Sequence, residues 1–451
     1  MNARRTTRRL LVAVALFLLA AALGAGGALA VLVTSNGLLS TAPPAWTTRI
    51  ALFGAQFDLN VAGLVRLATA PGVAQLLDGR SISTRAGHIA FRREGALLIA
   101  RCVPCRLQHP VLAAEPLELA EAELALARRD ASVNGWLASG AVRVNYTAEI
   151  AADGMRVRWT LPRTDVGDAV RTLVSIIPEA RWGRFDGAIE ASGTLTLPKG
   201  RSSTQFHIDQ LQVADLGTEV LQFGVFTLSC HQLDGRPRRQ PSGDGAATWI
   251  ALDKLGPYLP AAVIAAEDQR FHDHGGYDDE ELAALLAAVD ADGPPRGAST
   301  LTQQLARTLI TGGERTAARK VRELLYAVEM ERTLGKARIF ELYLNTVDWG
   351  PGICGSRAAA RSYFGKPPAR LTPIEAAWLA GILRRPHAAY MNEWRTQAPQ
   401  RERAEAIVLQ MRDFPRHDRN QWARGSLALR AAPTKPHSDG VTRAAVASAL
   451  R

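Results

Sequence analysis

Glu267-Asp268-Gln269-Arg270-Phe271-His272-Asp273-His274-Gly275 closes the apolar run Ala261-Ala262-Val263-Ile264-Ala265-Ala266. The run predicts a helix with Pro260 in its first turn, where a proline sacrifices no intrahelical hydrogen bond. Glu267 then sits at the end of an apolar helix, where loss of water raises a carboxylate's pKa. Taken alone, the pair Glu267-Asp268 reads as a solvated acidic turn at a helix end, which lone acidic pairs usually are. Three further polar clusters interrupt helical patterning downstream: Gly297-Ala298-Ser299-Thr300-Leu301-Thr302-Gln303-Gln304, Arg319-Lys320-Val321-Arg322-Glu323 and Glu341-Leu342-Tyr343-Leu344-Asn345. The first of these has the form of a helix start, in which Ser299 or Thr300 caps and Gln303 or Gln304 returns a hydrogen bond. In the next, Arg319 and Glu323 have the spacing of an i,i+4 ion pair. Arg315, Arg319, Lys320 and Arg322 make the densest basic cluster of the segment.

The order and spacing of these clusters, from roughly Trp249 to Tyr390, resemble the peptidoglycan glycosyltransferase family (glycosyltransferase family 51) in its monofunctional type. Trp349-Gly350-Pro351-Gly352 and Tyr363-Phe364-Gly365-Lys366 continue the resemblance, their glycines expected in tight turns and their aromatics in packing. Ser-x-x-Lys and Lys-Thr-Gly are absent, so the resemblance does not extend to a penicillin-binding transpeptidase half. It implies a mostly α-helical, lysozyme-like catalytic domain that uses Glu267 as general base and Glu323 as a second acidic catalytic residue. The implied substrate-binding positions are Asp268, Phe271, His274, Gly297, Ser299, Thr300, Gln303, Gln304, Arg307, Arg319, Lys320 and Asn345. Tyr343 and Leu344 are expected in the core. Two positions depart from the family pattern: Arg307 stands where Lys is usual, and Phe340 where Leu is usual. The implied partners are lipid II and the growing glycan strand. No cofactor is obligatory, and Mg2+ or another divalent cation is the one option. The segment Gly276 to Arg296 would move over the cleft, and Leu309 and Ile310 would dip into the bilayer edge.

Net charge of +11 and a pI near 9.9 admit nucleic acid, anionic headgroups or a phosphorylated substrate as partner. No zinc-finger, recognition-helix or RNA-binding signature supports nucleic acid. Arg4, Arg5, Arg8 and Arg9 precede an apolar stretch from Leu10 to Val33, long enough to span a bilayer. The charge asymmetry predicts a cytoplasmic N-terminus, a single-pass inner-membrane anchor and a periplasmic body. Ala28-Leu29-Ala30 keeps the alternative of a cleaved signal peptide. Of the four cysteines, Cys102 and Cys105 read as a local disulfide or two unreactive thiols, while Cys230 and Cys354 stand apart. A zinc site at Cys102 and Cys105 would need two more ligands, of which His109 supplies one.

The fold class expected is multidomain α+β. Residues 1–34 form the cytoplasmic stub and transmembrane anchor, 35–243 a β-rich periplasmic domain with linker, 244–392 the glycosyltransferase domain, and 393–451 a C-terminal helix with a poorly ordered basic tail. Alternating segments at Ile89–Arg93, Ala96–Ala100, Ala141–Tyr146, Ala188–Ser192 and Thr194–Leu197 predict an antiparallel sheet, interrupted by a helix at Val166–Ile177. The strand-pair texture is similar to the elongated sheets of AsmA-type envelope proteins, although no residue motif carries that likeness. The β-region reads as a spacer, or as a docking surface for cell-wall synthesis proteins or lipid. Gly235–Gly245, rich in Arg, Pro, Gly and Ser, reads as the interdomain linker. Further helices are expected at 282–289, 301–310, 317–333, 337–345 and 373–383. Two other readings stay open: a lysozyme-like glycan-cleaving enzyme, and a catalytically silent lipid II-binding scaffold.

Overall fold

The computed structural model describes residues 47–432 apart from 53–54, 61–64, 66, 109–111, 152–153, 198–200, 278–298 and 315. The expected transmembrane stretch, the helix at 282–289, Gly297, Arg315, His109, nearly all of the Gly276–Arg296 segment and the chain after 432 therefore lie outside the described residues. Among those described, no helix is long and apolar enough to cross a membrane.

β1 (Thr47–Leu52) and β2 (Ala55–Asn60) pair as a hairpin, and helix α1 (Pro71–Leu77) follows. An antiparallel ten-stranded sheet comes next. Its strands are β3 (Ser81–Thr84), β4 (Gly87–Glu94), β5 (Leu97–Leu107), β6 (Leu117–Leu119), β7 (Ala122–Arg129), β8 (Ser132–Ser139), β9 (Val142–Ala151), β10 (Gly154–Asp165), β11 (Arg184–Leu197) and β12 (Arg201–Ala214). Chain neighbours are sheet neighbours throughout, except that β6 pairs beside β5 and leaves β7 to continue the sheet. Two-residue turns require a residue with positive φ, and Gly95, Asp130 and Gly140 supply it between β4 and β5, β7 and β8, and β8 and β9. The strands at Ala188–Ser192 and Thr194–Leu197 prove to be one: Gly193 lies inside β11 because a Cβ there would meet the Ser203 carbonyl of β12. The helix expected at Val166–Ile177 is α2 (Val166–Thr172), capped by Asp165, and turns replace its second half.

Gly235–Gly245 is not a linker. β13 (Val225–His231) and β14 (Pro237–Gly243) form a hairpin whose inner face carries Phe226, Leu228 and Cys230. Composition misled here because β14 has little apolar character of its own and is fixed by pairing. The sulfur of Cys230 is bonded to Cys354, 124 residues on, so these two cysteines do not stand apart. Cys102 and Cys105 are also disulfide-bonded.

The helical part consists of α3 (Tyr258–Glu267), α4 (Leu301–Ala306), α5 (Ala317–Thr333), α6 (Gly335–Thr346), α7 (Ser356–Phe364), α8 (Pro373–Ile382) and, beyond a short turn of helix, α9 (Arg401–Gln410) and α10 (Arg416–Ala423). α5 and α8 fall where their patterns place them, and α4 runs into a π-type turn over Arg307–Thr311. One apolar core joins both regions, with Val170, Ile177, Phe185 and Val213 of the sheet region in the same cluster as Leu301, Tyr326 and Met330. The described part of the C-terminal segment packs back on the helical region: the Trp394 indole donates to the Arg430 carbonyl (2.7 Å), and Leu427 and Leu429 pack on the core.

Candidate active site

Helix α3 is apolar on nearly every face, with Leu259, Ala262 and Val263 fully buried, and it delivers Glu267 at its last turn. Burial raises the Glu267 pKa above the ordinary carboxylate value. A hydrogen bond from Gln304 and the charges of Arg403, Arg307 and Arg384 pull the other way, with the weaker hand. Gln304 is itself oriented. Its Nε2 donates to Glu267 Oε2 (3.1 Å) and to the Ser299 carbonyl (3.2 Å), while its Oε1 accepts from the Tyr343 hydroxyl (3.0 Å). Tyr343 is fully buried and its pKa is driven well up by desolvation, so the phenol stays protonated and fixes which way the Gln304 amide points.

The neighbouring carboxylate does different work. Asp268 is 5% exposed and accepts from the Leu301 backbone N–H (2.9 Å) and from His274 Nε2 (2.9 Å). His274 Nδ1 in turn accepts from the Gly276 N–H (3.3 Å), which makes the Nε2–H tautomer the one that satisfies both contacts. Thr300 caps α4 by accepting from the Gln303 N–H (3.2 Å) and donates to the Gly276 carbonyl (2.7 Å). Gly276 has φ +94°, and a Cβ there would strike the Ala327 carbonyl at 2.8 Å. Asp268, His274 and Thr300 thus tie the Glu267 loop to the start of α4.

On α5, Glu323 is 1% exposed and sits between the Arg319 guanidinium and Lys320 Nζ (2.8 Å). Lys320 also donates to Ser299 Oγ (2.5 Å), joining this cluster to the start of α4. Arg307 lies exposed on the turn after α4, where its charge is felt by Glu267.

Two expected substrate contacts are placed elsewhere. Phe271 is 0% exposed, packed on Phe340 (5.5 Å) beneath Lys336 Nζ (4.4 Å), and offers no surface to a ligand. Asn345 pins the segment before α3: its Oδ1 accepts from the Ile250 N–H (2.9 Å), and its Nδ2 donates to the Ile250 and Glu341 carbonyls (both 2.8 Å). Leu309 packs on the Cys230–Cys354 cluster, which leaves Ile310 as the exposed apolar residue of that turn. The Asp268 and Glu323 carboxylates are already taken by protein donors, and among the described residues no group of three His, Cys, Asp or Glu could hold a metal ion. Arg384, Arg403 and Glu331 went unread in the sequence. Glu331 accepts from Thr302 (2.6 Å) and Lys336 (2.9 Å), and only the fold brings those two together.

The profile of the Transglycosylase family matches residues 235–412. The biosynthetic peptidoglycan transglycosylase of Aeromonas hydrophila is 47% identical over 147 residues, 33% of this chain and 60% of that protein. That of a Marinomonas species is 42% identical over 167 residues, 37% of this chain and 73% of that protein. The crystal structure of penicillin-binding protein 1A from Haemophilus influenzae aligns with 46% of this chain and 21% of its own at 18% identity and a TM-score of 0.24, too low to bear on the fold. The chain belongs to the peptidoglycan transglycosylase family, as the four clusters led one to expect. The similarity to the Aeromonas protein spans about 60% of that relative, and the sheet region before residue 235 lies outside the family match.

Proposed function

We propose that the chain is an envelope-located peptidoglycan glycosyltransferase that polymerises lipid II, with its body facing the periplasm. The observation that carries this reading is the pairing of a desolvated, amide-oriented Glu267 with a cationic cluster reached through the Ser299–Lys320 contact. A carboxylate with a raised pKa is a competent proton acceptor near neutral pH. Glu267 takes the proton of the acceptor N-acetylglucosamine 4-hydroxyl as its oxygen attacks C1 of the lipid-linked N-acetylmuramic acid of the growing chain. The O4–C1 bond forms with inversion, giving a β-1,4 linkage. The bond from C1 to the diphosphate oxygen breaks, and its electron pair leaves with undecaprenyl diphosphate. Arg307, Arg319 and Lys320 supply positive charge where the leaving group gathers negative charge. Glu323 holds Arg319 and Lys320 in place.

The cationic cluster is also what favours polymerisation over cleavage of finished glycan, since hydrolysis releases no diphosphate. The test offers the full chain, in detergent, both labelled lipid II and preformed glycan strands. Elongated product from lipid II with the strands left intact supports the reading. Shortening of the strands with no polymer from lipid II would replace it with a lysozyme-like hydrolase.

A further inference from the structure

The sheet region grips the helix that carries the cationic cluster. Arg322, Tyr326, Glu329 and Thr333 fall four, three and four residues apart along α5 and make a single stripe. Each meets a residue that lies before the family match. Arg322 donates from Nε (2.8 Å) and Nη2 (2.6 Å) to Glu179, which is 1% exposed. The Tyr326 phenol faces the same carboxylate, and burial together with the Glu179 charge raises its pKa. Glu329, 0% exposed, accepts from the Leu216 N–H (2.7 Å) and the Thr218 hydroxyl (2.8 Å), and Thr333 shares a hydrogen bond with Thr218 (2.8 Å). At the start of α5, the Ala318 N–H donates to the Leu112 carbonyl (2.9 Å).

Three cations, Arg319, Lys320 and Arg322, lie within four residues and face two buried carboxylates. Glu323 takes the first two, and Glu179 takes the third from a different part of the chain. We propose that Glu179 is a positioning residue for the transfer reaction: by claiming Arg322 it fixes the face of α5, so that Glu323 keeps Arg319 and Lys320 set for the anionic donor. The appended sheet is then part of the alignment of the site as well as a spacer. This inference rests on the glycosyltransferase reading. Without the Glu179 charge, the partly buried Arg322 guanidinium is left next in the chain to Glu323 and free to compete with Arg319 and Lys320 for that carboxylate, which shifts both from their places.

The test compares the full-length protein with Glu179→Met, Glu179→Met/Arg322→Met and Arg322→Lys. Lipid II binding and polymerisation are both measured at a temperature where circular dichroism shows every variant folded. Glu179→Met is expected to weaken lipid II binding and raise KM about tenfold with a smaller change in kcat. The double variant, which replaces the ion pair by apolar packing, is expected to recover most of both. Arg322→Lys keeps the charge but loses the two-pronged contact, and is expected to raise KM about threefold; it carries the test if Glu179→Met does not fold. Wild-type affinity and KM in folded Glu179→Met, or in Arg322→Lys, would overturn the proposal and leave the docking a matter of stability alone. A wild type that binds lipid II without polymerising it would sink the glycosyltransferase reading, while the binding measurements still decide the role of Glu179.

Discussion

At the scale of single residues, Glu267 makes the sharpest predictions. Its pKa is raised by burial, and a general base acts only when ionised. The acidic limb of kcat/KM against pH should therefore lie above the ordinary carboxylate range. Gln304 opposes that shift through its hydrogen bond, so Gln304→Ala should move the limb further up in pH as well as lower the rate. A limb unmoved by Gln304→Ala would show that the amide does not govern this carboxylate. Linkage gives the stability sign. A carboxyl whose folded pKa exceeds its unfolded value favours the fold in its protonated form, and that contribution disappears as pH rises through the folded pKa. At neutral pH the ionised Glu267 thus costs stability, and Glu267→Gln should melt no lower than wild type; a clearly lower midpoint would contradict the burial account. Sequence made Glu267 legible through the ordered clusters around it, since an acidic pair at the end of an apolar helix is by itself no sign of a base. It did not reveal Arg384 and Arg403, whose influence comes from a helix and a loop that close on α3 only in three dimensions.

At the scale of elements, the four clusters do two kinds of work. Glu267, Gln304, Ser299, Lys320 and Glu323 form one connected line, whereas Phe271 and Asn345 hold elements together. A motif read along the chain cannot separate these roles, because a residue that fixes a helix and one that meets a ligand can share the same few positions. Asn345 illustrates the point, with its amide spent on the Ile250 backbone and on Glu341. Asn345→Ala leaves a buried N–H and C=O without partners and should cost about 1–3 kcal/mol in urea unfolding. A stability within experimental error of wild type would return Asn345 to the list of ligand contacts. α5 and α8 were legible because capping residues and apolar periodicity agree there, Thr316 for the one and a Thr372–Glu375 capping box for the other. β14 was not, since Pro237-Arg238-Arg239-Gln240-Pro241 becomes a strand only through pairing with β13.

At the scale of the whole molecule, the chain is a family catalytic region joined through one apolar core to a ten-stranded sheet. The Cys230–Cys354 bond ties the β13–β14 hairpin to the turn after α6, across 124 residues of sequence. Loop-closure entropy for a span of that length is worth roughly 5 kcal/mol. Cys230→Ser/Cys354→Ser should therefore lower the melting temperature by several degrees, and an unchanged midpoint would show that the hairpin stays docked without the bond. Alternation located β4, β5, β9 and β11 and left the other described strands unplaced; the attachment of the sheet region to α5 was not legible either, because Glu179, Leu216 and Thr218 carry no local signal that they face Arg322, Glu329 and Thr333. The account as a whole stands on Glu267 acting as the base in glycan polymerisation. Its most direct test is gel-resolved polymerisation of labelled lipid II by the full chain beside Glu267→Gln. The account predicts glycan strands from the wild type and a loss of about 100-fold or more in rate in a variant that still binds lipid II. Polymer made equally well by both would contradict it.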